Sequence, residues 1–177
     1  FDGEFYDARE PMGYEVSETL STPEVNTEFA GEIFPSAGAE IYLRPDLTFS
    51  PVEAYVWEGV ENASDEAYGK IIIKRRYAPG KAMELLPGET LVVDFGQNAA
   101  AVPAFEFKAE EGTVLTCLPA ELLNDGNGAK SRGMDGPEGS CHRLNLRTPD
   151  DGMILEYTFG DADGYVSYSP RCTFYGY

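Results

Sequence analysis

From Phe49 onward, apolar and polar residues alternate with a period of two, and Gly, Pro and Asp interrupt the alternation every few residues. This pattern limits the chain more than any other feature. A period of two places one set of side chains on each face of a strand, and repeated interruption keeps the strands short and antiparallel. Val52, Ala54, Val56 and Trp57 begin the first such stretch. Tyr68 to Tyr77 follows, with the β-branched centre Ile71-Ile72-Ile73 between cationic flanks. Leu91 to Phe95 comes after Pro87-Gly88-Glu89, a tight-turn sequence. Further strands are predicted at Phe105 to Ala109, Thr113 to Cys117, Leu144 to Arg147, Met153 to Phe159 and Tyr165 to Tyr168. No long stretch has helical period and no repeat recurs at fixed spacing. Many short strands at this spacing predict an all-β chain, an antiparallel β-sandwich of jelly-roll type.

The beginning of the chain reads differently. Arg9-Glu10-Pro11-Met12-Gly13 and Ser21-Thr22-Pro23 break any pattern, so residues 1–45 are assigned as an extended connecting arm and residues 46–177 as the sandwich. One short helix is predicted between Val25 and Phe34. The stretch Asn124 to Gly139 is polar and glycine-rich, and reads as a long exposed loop between two strands.

Composition removes several classes of function. The 177 residues, 42% of them hydrophobic, suffice for a real core. The net charge of −18, from 31 acidic against 13 basic residues, repels phosphate backbones and anionic lipid, which argues against nucleic-acid and membrane partners. Such a surface accepts neutral ligands such as sugars, and cations, although solubility alone accounts for it. Cys117, Cys141 and Cys172 are widely spaced and form no C-x-x-C pair, so neither a disulfide framework nor a zinc site is expected. The single histidine, His142, lies in the alternating Cys141 to Leu146 and reads as an ordinary sheet residue.

Local motifs for chemistry are few. Asp94-Phe95-Gly96 has a kinase-like spelling, but no glycine-rich phosphate loop or H-R-D segment accompanies it. Neither a G-x-S-x-G elbow nor a Walker loop occurs. A glycosidase needs two poised carboxylates, yet nothing in the spacing singles out one pair. Calcium is the candidate cofactor, though none is required. Asp161-Ala162-Asp163-Gly164 places two carboxylates two apart, and Asn124-Asp125-Gly126-Asn127 clusters oxygen donors, with Asp161 and Asp163 as the candidate metal ligands. Of the rings, Tyr55 and Trp57 flank Val56 and would share a strand face, as a sugar platform or, more simply, as core.

Four segments together resemble a known family. Gly3-Glu4-Phe5-Tyr6-Asp7-Ala8-Arg9 is similar to the G-E-x-Y-D-A-R motif of bacterial α-L-rhamnosidases of glycoside hydrolase family seventy-eight. Val93-Asp94-Phe95-Gly96-Gln97-Asn98 resembles its D-F-G-Q-N motif. Ala120-Glu121-Leu122-Leu123, followed by Asn124-Asp125-Gly126, resembles its A-E-x-L segment with the following D-G, and Ser169 to Tyr177 resembles its P-x-F-T-x-x-G-F-R-Y stretch. The motifs stand in the family's order across nearly the whole chain. Ala101 departs from a family glycine, and Cys172 from a family aromatic residue.

The resemblance implies a concanavalin-like β-sandwich within a multidomain bacterial enzyme; the sequence itself does not give the compartment, with periplasmic or secreted as the options. In that family, inverting hydrolysis of terminal α-L-rhamnose belongs to a downstream α/α barrel, so no catalytic residue is carried over to this chain. Glu4, Asp7, Arg9, Asp94, Gln97, Asn98 and Glu121 are the motif residues expected to act as structural polar anchors. The expected role is a non-catalytic domain that buttresses the barrel. The alternatives are a carbohydrate-binding module for a rhamnose-type sugar, with or without calcium, and a free-standing lectin. The family pattern continues past Phe174-Tyr175-Gly176-Tyr177, so a closing strand is expected to be cut short there, leaving an edge that another segment can pair with.

Overall fold

The computed structural model describes residues 3–10, 28, 30–32, 35, 38, 42–126, 135–144 and 153–170. Among the described residues, ten strands and one 3-10 turn make up the regular structure, and no α-helix occurs. The strands are β1 (Gly3–Asp7), β2 (Glu53–Glu61), β3 (Lys70–Tyr77), β4 (Thr90–Asp94), β5 (Phe105–Phe107), β6 (Val114–Cys117), β7 (Leu122–Leu123), β8 (Cys141–His142), β9 (Ile154–Thr158) and β10 (Val166–Tyr168). The chain divides into a larger unit, Phe1–Arg9 with Phe49–Tyr177, and a smaller one, Glu10–Thr48.

The larger unit is a β-sandwich with two foci of packing. In the first, a three-stranded sheet of order β1-β9-β6 packs on the pair β10-β5. Alternation dictates which residues meet. Leu155, Tyr157 and Phe159 are buried, while Glu156 and Thr158 between them are only partly so. The ring of Phe107 lies 4.6 Å from that of Tyr157 and 4.8 Å from that of Phe159, and Tyr168 lies 4.7 Å from Tyr157. These tilted contacts between facing sheets each add about 0.5–1.5 kcal/mol beyond burial.

In the second, the sheet β3-β2-β4 packs on the short pair β7-β8. Tyr55, Ile71 and Val92 form its centre, with Trp57, Ile73, Leu123 and Cys141 against them. Three consecutive residues of β2, Ala54, Tyr55 and Val56, are buried. Successive side chains point to opposite faces, so both faces of this central strand are covered. Tyr55 and Trp57 therefore belong to the core, and the strand bulges between Val56 and Trp57.

Most sequence-predicted strands appear where alternation places them. One pairing differs in kind. β1 runs parallel to β9, from Gly3 opposite Ile154 to Asp7 opposite Thr158, while every other strand pair is antiparallel. A parallel pair needs a long connection, and here nearly the whole chain supplies it. Gly3–Asp7, grouped by sequence with the arm, is thus a strand of the sandwich. Of the helix predicted between Val25 and Phe34, only residues 28 and 30–32 are described, and none is helical. Leu144 stands in a turn, and residues 145–147 of the strand predicted there, like residues 171–177, lie outside the described residues. In the smaller unit, Pro45–Leu47 makes one 3-10 turn beside an exposed Arg44–Asp46 ion pair, Nη2 to Oδ2 2.6 Å.

Candidate functional site

The polar stretch Asn124 to Gly139 does not behave as an exposed loop at its ends. Asn124 is 2% exposed and His142 6%. Asp135 holds them together. Its Oδ2 accepts the backbone N–H groups of Arg143 at 2.6 Å and Leu144 at 2.8 Å. Its Oδ1 accepts Asn124 Nδ2 at 2.9 Å and lies 3.2 Å from His142 Nδ1, which lacks the alignment of a hydrogen bond. Asn124 completes the knot, since its Oδ1 accepts the Asp135 N–H at 3.0 Å and its Nδ2 also reaches Ser140 Oγ at 2.9 Å. Burial alone raises the Asp135 carboxyl, but the Arg143 N–H, the Asn124 amide and the Leu144 N–H outweigh it and hold the group below 3.8. The knot is tied to the sheet beneath, where Tyr55 Oη donates to Gly139 O at 2.6 Å and Lys70 Nζ lies 2.8 Å from Glu138 Oε1. Residues 127–134 lie outside the described residues. The amide oxygen of Asn124, one of the oxygen donors suggested by sequence, accepts the Asp135 N–H in this network.

The motif residues fall in three separate places. Glu4 and Asp7 lie on β1. The Glu4 carboxylate accepts the hydroxyl of Tyr168 across the two sheets, and Asp7 takes Arg9 in a two-pronged pair at 2.9 and 2.5 Å. The hydrogen bonds from the Arg9 side chain and N–H lower the Asp7 carboxyl to about 2. Asp94 ends β4, where its Oδ1 accepts the Gly96 N–H at 2.7 Å and its carbonyl accepts the Val52 N–H at 2.8 Å. Gly96 has φ +71, and a Cβ there would stand 2.9 Å from Val52 Cγ2, so the turn that Asp94 caps requires glycine. Gln97 and Asn98 are exposed beyond the turn, and Glu121, partly buried, precedes β7.

Asp161 and Asp163 are both exposed. Among the described residues, no three His, Cys, Asp or Glu side chains gather as a metal site. Asp161 does line a cleft of about 180 Å³, with Ala8, Ala109, Tyr157, Phe159 and Val166 among its walls.

Sequence reasoning missed two groups. The first is Asp135, whose partners are backbone groups and a side chain eight or more residues away. The second is a cluster between β3 and the turn that leads into β4. Arg75 Nη1 donates to Glu89 Oε1 at 2.7 Å, Lys74 Nζ lies 3.2 Å from the same oxygen, and Leu86 N–H donates to Glu89 Oε2 at 3.0 Å. The Arg75 side-chain bond and the Leu86 N–H lower Glu89 to about 2. The Pro87-Gly88-Glu89 turn was legible, but not the cation that its carboxylate would hold. Cys117 and Cys141 are free thiols, and burial pushes Cys117 up to about 11 and Cys141 upward as well.

Compared with known proteins, residues 84–177 match the family model described as the bacterial alpha-L-rhamnosidase concanavalin-like domain. Neither a curated protein nor a solved structure matches the chain.

Proposed function

We infer from this chain, which belongs to the bacterial alpha-L-rhamnosidase concanavalin-like domain family, a scaffolding role in a multidomain glycoside hydrolase. On this reading the sandwich buttresses a helical barrel that hydrolyses terminal α-L-rhamnose, and performs no chemistry itself. The family match carries the reading, and the use made of the carboxylates supports it. Asp7, Glu89, Asp94 and Asp135 are all engaged by backbone N–H groups or nearby cations. The direct test is an assay of this chain with an aryl α-L-rhamnoside. No turnover is expected. Turnover that persists through purification and disappears on replacing one carboxylate would overturn the reading.

The cleft beside Asp161 favours a second reading, in which the domain also holds a rhamnose-type sugar. Its volume of about 180 Å³ suits one small neutral ring, with apolar walls for C–H faces and one carboxylate for hydroxyls. Calorimetric titration with L-rhamnose, with and without calcium, tests it. Saturable heat that is lost in Asp161→Ala supports binding, a calcium requirement would bring Asp163 into the site, and absence of heat in both arms rejects this second reading.

A further inference from the structure

β1 is held in the sandwich unlike any other strand. It lies parallel along the edge of β9, and its route to the rest of the larger unit passes through residues 10–48, which cluster as a unit of their own. Its side chains divide by position. Gly3 (φ +95) sits so close to β9 that a Cβ would fall 1.8 Å from Ile154 O. Glu4 takes the Tyr168 hydroxyl. Tyr6 stacks on Tyr157 with centroids 5.3 Å apart and lies 5.3 Å from the ring of Tyr168. Phe5 points away and is 69% exposed. Ala8 N–H then donates to Thr158 O at 2.9 Å, which finishes the pairing. Main-chain pairing along a sheet edge, with alternate side chains entering pockets, is how extended peptides are recognised by β-augmentation.

We propose that the edge of β9 and the rings of Tyr157 and Tyr168 form a strand-acceptor groove, and that the Gly3–Asp7 segment is its separable ligand. The groove reads three features of an extended peptide: a glycine where the backbones touch, an acidic residue next to it for the Tyr168 hydroxyl, and an aromatic ring two residues further on. The G-E-x-Y-D spelling is then a docking sequence, in which the position between the acid and the ring is unread. This goes beyond a scaffolding role, because it names a binding surface and its ligand. A segment that precedes residues 10–48 in the chain is thereby clasped to a sandwich formed by residues that follow them.

The test uses the whole chain with a protease cleavage sequence inserted within residues 11–27. After cutting, the N-terminal piece is expected to stay bound during gel filtration, and to exchange one for one with an excess of fluorescent peptide FDGEFYDARE. Four peptide variants separate recognition from general stickiness. Gly3→Ala should abolish exchange, Glu4→Ala and Tyr6→Ala should each weaken it by about tenfold or more, and Phe5→Ala should stay within about twofold of the native peptide. Circular dichroism of the cut chain reports whether the sandwich persists. Loss of the piece without rebinding of the native peptide would overturn the proposal. So would equal binding of the Gly3→Ala peptide, or unfolding of the sandwich when the piece leaves.

Discussion

Replacing Asp135 with alanine should be the most damaging single loss of a polar group in the sandwich. The carboxylate accepts three well-made hydrogen bonds, from the N–H groups of Arg143 and Leu144 and from Nδ2 of Asn124, at 2.6, 2.8 and 2.9 Å. Stranding a buried donor costs about 1–3 kcal/mol, and more where the lost acceptor is charged. Asn124 keeps Ser140 Oγ as a partner, and Leu144 is exposed enough for water to replace the lost oxygen. One full penalty then remains, at the Arg143 N–H, with a fraction from each of the other two, so the net expectation is about 2–4 kcal/mol. At roughly 2–4 °C per kcal/mol for a domain of this size, the melting temperature should fall by roughly 4–16 °C. Asp135→Asn keeps one oxygen and should lose less. Thermal unfolding followed by near-ultraviolet circular dichroism gives the size of the effect, and hydrogen exchange at the Arg143 and Leu144 amides gives its location.

The loss should also depend on pH in a defined direction. The folded-state pKa of Asp135 lies below 3.8, so the native chain keeps its charge where the unfolded chain has taken up a proton. Its contribution is complete above the unfolded value and is lost as pH falls through the folded one. The gap between wild type and Asp135→Ala should therefore be constant at neutral pH and narrow below about pH 4. A melting temperature unchanged within about 1 °C, with the two amides still protected, would refute the assignment of Asp135 as the tie that closes this segment.

Asp94→Ala should cost about 1 kcal/mol through the lost Gly96 N–H bond, whereas Gln97→Ala and Asn98→Ala should stay within about 0.5 kcal/mol; thermal melts of the three variants test the division of that motif. Gly96→Ala should be worse than Asp94→Ala in the same melts, because it meets both the positive φ and Val52. Tyr55→Phe removes the hydroxyl that donates to Gly139 O, and should lower the midpoint of urea unfolding by about 1 kcal/mol equivalent with its slope unchanged. Cys117 and Cys141 should resist alkylation at pH 8 in the folded chain and react once it is unfolded, with peptide mass mapping as the readout, because burial keeps both thiols protonated.

How much of this was legible beforehand depended on how far apart the partners lie. β3 was plain from Ile71-Ile72-Ile73 and its cationic flanks, and β9 from the spacing of Leu155, Tyr157 and Phe159, because alternation is local and each strand carries its own signal. β7 and β8 have two residues each, too few to show a period. The parallel β1–β9 pair joins residues about 150 positions apart, and nothing local in Gly3–Asp7 specifies a partner. Asp135 lies in a stretch whose polarity and glycine content read as an exposed loop, and two of its three donors are backbone N–H groups, which look alike in any sequence. The motifs did direct attention to Glu4, Asp7 and Asp94, whose bonds are now explicit. They gave no means of separating Asp94, which caps a turn, from Gln97 and Asn98, which stand exposed beyond it.

The carboxylates also bear on the proposed scaffolding role. A glycosidase needs one carboxyl kept protonated near neutral pH, which demands that burial or a like charge prevail over hydrogen bonding. Four carboxylates among the described residues show the opposite balance. Asp7, Asp46, Glu89 and Asp135 are all pushed downward, and in Asp135 this happens even though burial is the largest influence acting on it. Donors reach each group from positions close in the fold: Arg9 to Asp7, Arg44 to Asp46, Arg75 and Leu86 to Glu89, Arg143 and Leu144 to Asp135. A carboxylate saturated in this way is a poor proton donor and a good tether. In Asp7, Glu89 and Asp135 the donors that hold turns and strand ends together are the same ones that keep the carboxyl ionised, so these three acids of the sandwich suit tethering better than proton transfer.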